Sequence, residues 1–186
     1  MDGISVTEQS GKAGAVASRA LPAVVKDLLY LLLKIGVIAL VVVLFFTFLF
    51  GLIRCQEPWM SPAIKDGDLV IFYRYTSQGY LPQDVIALDY RGERHVRRVV
   101  AVEGDTVDIT SEQGLIVNGS IQQELEIIYK TERYEEGVDF PLIVPEGHVF
   151  VLGDRRDGAT DSRIYGCVKI SDTQGKVITI LRKRGI

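Results

Sequence analysis

Gly153-Asp154-Arg155-Arg156-Asp157-Gly158-Ala159-Thr160-Asp161-Ser162-Arg163 is the stretch on which the fold turns. Gly-Asp-x-Arg followed by Asp-Ser-Arg at this spacing is hard to reach by chance. Two further stretches stand upstream of it. One is Trp59-Met60-Ser61-Pro62-Ala63-Ile64-Lys65-Asp66-Gly67-Asp68; the other is Arg97-Arg98-Val99-Val100-Ala101-Val102-Glu103-Gly104-Asp105. A Met-x-Pro step followed by Asp-Gly-Asp says little alone and is specific in this combination. All three lie downstream of one long apolar run.

That run accounts for the composition. The chain has 186 residues, 47% of them hydrophobic and 24% charged, and four of its seven Phe fall between Phe45 and Phe50. The 19 residues from Ile35 to Ile53 carry no charge, with Lys34 and Arg54 at their ends. At about 1.5 Å per residue such a helix nearly matches a hydrocarbon core of about 30 Å. With Leu28–Leu33 extending it, residues 28–54 are predicted to form one transmembrane helix. A cleaved signal peptide would have a shorter apolar region and an A-x-A-like site; Ile53-Arg54-Cys55-Gln56 follows instead. Bulky Arg54 also stands where a lipoprotein Cys55 would need a small residue. The span therefore reads as uncleaved.

Basic residues in the short flank set orientation. Lys12, Arg19, Lys26 and Lys34 precede the run, which predicts a cytoplasmic tail over 1–27 and an extracytoplasmic domain over 55–186. Residues 1–20, rich in Gly, Ala and Ser, are predicted to be disordered. The exterior portion holds 16 basic and 21 acidic residues, and 21 against 24 in the whole chain excludes a strongly basic nucleic-acid binder. Two Cys, at 55 and 167, build neither a disulfide-rich scaffold nor a four-Cys zinc site. Whether they pair with each other stays open.

Beyond Arg54 short β-rich runs recur: Leu69–Tyr75, Val85–Tyr90, His95–Val102, Thr106–Thr110, Leu115–Val117, His148–Leu152 and Lys176–Leu181. Asp66-Gly67, Arg91-Gly92, Glu103-Gly104, Asn118-Gly119 and Gln174-Gly175 separate them as turn signals. The pattern predicts a mostly β, antiparallel domain. Charge-rich residues 121–145 break the rhythm and read as an insertion or flap. Asn118-Gly119-Ser120 matches a glycosylation sequon but is more simply a hairpin turn. His95 and His148 offer no metal-ligand spacing, no Gly-rich phosphate loop occurs, and neither metal nor cofactor is expected. Leu181-Arg182-Lys183-Arg184 reads as a solvated end.

The three motifs, in this order behind one membrane helix, closely resemble the type I signal peptidases, in particular the Gram-positive bacterial branch. The resemblance runs from about Leu28 to the C-terminus and implies a signal-peptidase-like antiparallel β-sheet domain. That family cleaves signal peptides with a Ser nucleophile and a Lys base. A Ser hydroxyl needs a base to take its proton, and a Lys serves only if its pKa is lowered. The nucleophile position, immediately before Met-x-Pro, is Trp59, whose indole has one N–H and no nucleophilic oxygen. The base position, immediately before Arg-Val, is Arg97, whose guanidinium keeps its proton. The Ser that orients the Lys is replaced by Ala159, and the oxyanion-assisting position is Glu57, of the wrong charge. Met60, Pro62, Gly67, Asp68, Gly153, Asp154, Asp161, Ser162 and Arg163 match the family pattern, with Arg163 pairing either Asp161 or Asp154.

The resemblance thus implies a peptidase fold without its dyad. Catalytically dead relatives assist sortase-dependent pilus assembly, so the expected partners are pilin subunits or a pilus sortase, besides lipid around the helix. Trp59, Met60, Ser61 and Arg97 are the candidate groove residues, with an extended client adding as a strand. An alternative is an active peptidase with a relocated site: Ser61, on one strand face with Trp59, as nucleophile, and His95, sharing a face with Arg97, as base oriented by Asp161. A third reading is a purely structural membrane-anchored domain.

Overall fold

The computed structural model describes residues 10–74, 79–112, 114–122, 127 and 129–182, with side chains from Val24 onward. The chain divides into two compact units, Met1–Thr47 and Phe48–Ile186. The first is formed by helix α1, Ser10–Leu49. Its 26-residue Val24–Leu49 portion contains an 18-residue stretch of mean hydropathy 2.9 with no buried residue. The helix begins at Ser10, inside the 1–20 stretch expected to be disordered; alanines at 13, 15, 17 and 20 are the best helix formers. Residues 1–9 lie outside the described ones.

At its other end the apolar run departs from expectation. The helix stops at Leu49, and Phe50–Arg54 is strand β1. The reason is a partner: β2 (Leu69–Tyr73) pairs antiparallel with it from Phe50↔Tyr73 to Arg54↔Leu69 and supplies its backbone hydrogen bonds. Apolar content suits either structure, but burial alternates along β1, with Gly51 and Ile53 inward.

The remaining strands are β3 (Val85–Tyr90), β4 (Glu93–Val102), β5 (Thr106–Thr110), β6 (Gly114–Val117), β7 (Ser120–Ile121), β8 (Leu142–Ile143), β9 (His148–Leu152), β10 (Val168–Lys169) and β11 (Thr173–Leu181). They make a seven-stranded sheet, β1-β2-β11-β3-β4-β9-β10, and a four-stranded one, β7-β6-β5-β8. The pairings are antiparallel, as the alternation and turn signals predict. Arg91-Gly92 turns β3 into β4, and Asn118-Gly119 turns β6 into β7, with φ positive at all four residues as a two-residue hairpin requires. Of the 121–145 segment, residues 123–126 and 128 lie outside the described ones; Leu142–Ile143 joins the smaller sheet as β8.

Four buried apolar clusters hold these layers. One joins Val100, Ala101, Phe150 and Leu152 of the large sheet to Val107, Ile109 and Leu115 of the small one. Another seats Met60 and Ile64 of the Met-x-Pro stretch against Val70 and Val96. Burying each such side chain contributes about 1.5–3 kcal/mol, enough to fix that stretch on the sheet. Leu181 and Arg182 are exposed, as a solvated end requires, and Arg182 also donates to Asp68 and to the Ala63 carbonyl; Lys183 and Arg184 lie outside the described residues.

Candidate functional site

The three motif stretches converge. Residues 59–63 form a turn in which the Ser61 N–H donates to the Pro58 carbonyl (3.0 Å) and the Ile64 N–H to the Met60 carbonyl (2.8 Å). The Trp59 carbonyl accepts from the Arg155 N–H at 2.8 Å, tying this turn to the 153–163 loop. A Cβ at Gly153 would lie 2.9 Å from that carbonyl oxygen, so glycine is what lets the two backbones approach. The half-buried indole of Trp59 lies over Gly158, where φ is +75° and a Cβ would meet the ring at 3.3 Å. The Arg155 guanidinium stands 5.9 Å from the Trp59 ring and 5.5 Å from that of Tyr129.

The loop is held from inside by buried charge. Asp161 accepts two parallel hydrogen bonds from the Arg163 guanidinium (both 2.9 Å) and also the Arg163 and Gly153 N–H groups. Arg163 donates in addition to the carbonyls of Arg156 and Glu132. Asp154 pairs instead with Arg98, again through two bonds, at 2.7 and 2.6 Å. Of the two partners open to Arg163 the structure therefore selects Asp161. The Ser162 hydroxyl accepts from the Val151 N–H, and Asp161 caps the short helix α2, Ser162–Tyr165.

Beside this lies a second charged cluster. β4 alternation puts His95 and Arg97 on one face, as expected, and both are buried. Arg97 donates to Glu57 Oε2 (2.8 Å), to the Thr160 carbonyl (2.9 Å) and to the Val96 carbonyl (2.7 Å), and its Nη2 lies 2.8 Å from His95 Nδ1. Glu57 Oε1 is 3.0 Å from the same ring nitrogen. Burial works to raise the Glu57 carboxyl, but the His95 hydrogen bond and the adjacent Arg97 outweigh it and hold the group below the usual carboxylate range. Tyr165, near the same groups, is pushed up by burial. Cys55 and Cys167 are free thiols, both pushed up by burial.

The candidate residues Glu57, Trp59, Arg97 and Ala159 thus gather in one place: Arg97 binds Glu57 directly and reaches Ala159 through the next carbonyl. Ala159 is fully buried, and its own carbonyl accepts from the Tyr134 hydroxyl. Two expectations fail. Ser61 and Trp59 share a turn rather than a strand face, because the Met60–Ile64 hydrogen bond curls the chain there. Asp161 does not orient His95; its carboxylate is spent on Arg163 and Gly153, and Glu57 takes that place. Among the described residues no hydrogen bond joins Ser61 to His95. Glu93, Arg98, Thr160 and Tyr134 were not singled out from sequence. Only Glu93 had a readable signal, standing two residues before His95 in the same alternation.

Comparisons with known proteins agree with the motifs. The profile of a family described as "Signal peptidase, peptidase S26" matches residues 28–181. Signal peptidase IB of Staphylococcus aureus is 28% identical over 169 residues, covering 82% of this chain and 88% of that protein. Signal peptidase I U of Bacillus subtilis is 30% identical over 112 residues, 56% of this chain and 60% of that one. Thylakoidal processing peptidase 1 of Arabidopsis thaliana is 33% identical over 117 residues, so this chain spans only 30% of that relative's length. A crystal structure of a signal peptidase I from Enterococcus faecalis aligns with TM-score 0.45 and 29% identity, over 56% of this chain and 100% of that one.

Proposed function

The chain belongs to the signal peptidase family, peptidase S26, and on that premise we propose that it is a membrane-anchored pseudoenzyme that binds a polypeptide without cutting it. On this reading the nucleophile position is Trp59 and the base position Arg97. The client is a pilin subunit or a pilus sortase, and the protein is an assembly factor for sortase-dependent pilus polymerisation. The observation that carries the reading is Arg97: a buried guanidinium, permanently protonated, hydrogen-bonded to Glu57, Thr160 and Val96 where a peptidase of this family needs a deprotonated amine. The helix is the membrane anchor, with its basic N-terminal flank inside the cell and the β domain outside.

The second reading, an active signal peptidase using Ser61, draws on the peptidase names of the relatives and on the unpartnered Nε2 of His95, which could accept a proton. Incubation of the purified full chain in detergent micelles with a preprotein separates the two. The pseudoenzyme returns the preprotein intact. Cleavage that disappears in Ser61→Ala overturns it and establishes the relocated site.

A further inference from the structure

Glu57, Glu93 and His95 place one ligand-type atom each within 4.8 Å of one another. We propose that this cluster binds a divalent transition-metal cation of the zinc class, a site that goes beyond the pseudoenzyme reading and does not depend on it. His95 is only 3% exposed, yet among the described residues its Nε2 has no hydrogen-bond partner, and it faces Glu93 Oε2 at 4.0 Å. A buried ring nitrogen left in this way is costly.

The surroundings of the other ring nitrogen point the same way. Two neighbours compete for Nδ1: Arg97 needs a lone pair there, and Glu57 needs a proton. With Nδ1 accepting from Arg97, Nε2 carries a proton and the Glu93 carboxylate stands at 4.0 Å, beyond hydrogen-bond distance. With Nδ1–H donating to Glu57, Nε2 carries a lone pair that nothing uses, and a cation satisfies it. A carboxylate behind the distal nitrogen of a metal-bound imidazole is the arrangement that orients such ligands and raises their basicity. Glu57 is therefore the positioning residue, and Nε2 and a Glu93 oxygen are the ligands. Tetrahedral zinc holds nitrogen and oxygen at about 2.0–2.2 Å, which puts two ligands on one ion about 3.4 Å apart; the observed 4.0 Å must close by about half an ångström.

The Glu93 side chain is 80% exposed and free to adjust. A cavity of about 550 Å³ borders the two carboxylates, lined by Glu57, Glu93, Gln56, Arg54 and Arg94. Arg94 is exposed and can turn its charge to solvent. A mixed nitrogen and carboxylate donor set favours zinc-class ions over calcium or magnesium, which select oxygen.

The test is calorimetric titration of zinc chloride into the full chain in detergent micelles, with calcium chloride as control. Saturable one-to-one zinc binding is expected. Glu93→Gln, on the surface and neutral for folding, should weaken it at least tenfold, and Glu57→Gln by about 10- to 100-fold. Cobalt(II) should give d–d bands without a thiolate charge-transfer band. Absence of saturable binding, equal affinity in Glu93→Gln, equal calcium binding, or a thiolate band from Cys55 or Cys167 each overturns the proposal.

Discussion

Asp161 and Arg163 are both almost wholly buried, and each satisfies the other's charge with two parallel hydrogen bonds while also holding backbone groups of the 153–163 loop. Removing one partner strands a buried charge, which typically costs about 3–5 kcal/mol. Asp161→Ala is therefore expected to lower unfolding stability by that amount in urea denaturation of the full chain in micelles; a loss below about 1 kcal/mol would contradict it. Glu57 gives a pH prediction. Its folded-state carboxyl lies below the ordinary value of 4.5, so its contribution is fully present above that value and is lost as pH falls through the folded pKa. Thermal melts of the wild type should steepen in their decline below about pH 4.5, and Glu57→Gln should flatten that acid limb. An unchanged limb in the variant would show that other carboxylates carry it.

At the scale of elements the informative place is β1. Gly51 faces the fully buried Phe72, and a Cβ there would come within 2.1 Å of the ring. Overpacking of this kind costs about 1–3 kcal/mol, so Gly51→Ala is expected to lower the melting temperature, while Leu52→Ala, at an exposed position of the same strand, should leave it within a degree or two. Equal effects would mean that β1 is not paired as described. The same strand marks the limit of what the sequence discloses. The uncharged run to Ile53 reads as one helix because hydropathy has no memory of pairing, and β2 lies beyond the reach of local pattern. Strands with clear alternation and a turn signal, such as Val85–Tyr90 and Thr106–Thr110, are legible to the residue. Within the site, the convergence of Glu57, Trp59, Arg97 and Ala159 follows from the motifs. The choice of Asp161 over Asp154 for Arg163, and the meeting of Glu57 with His95, are matters of tertiary distance that spacing cannot supply.

At the scale of the whole molecule the uneven placement of charge gives a topology to test. Four basic residues, at 12, 19, 26 and 34, stand on the N-terminal side of the uncharged run Ile35–Ile53, and the span Val24–Leu49 holds none after Lys34. Short flanks rich in Lys and Arg stay inside, and long following domains translocate largely regardless of their own charge. Protease added to protoplasts is therefore expected to digest an epitope fused after Ile186 while an epitope before Met1 survives until the membrane is permeabilised. Protection of the C-terminal epitope instead would place the β domain in the cytoplasm. A client met outside the cell would then be excluded, whatever the fate of the peptidase chemistry.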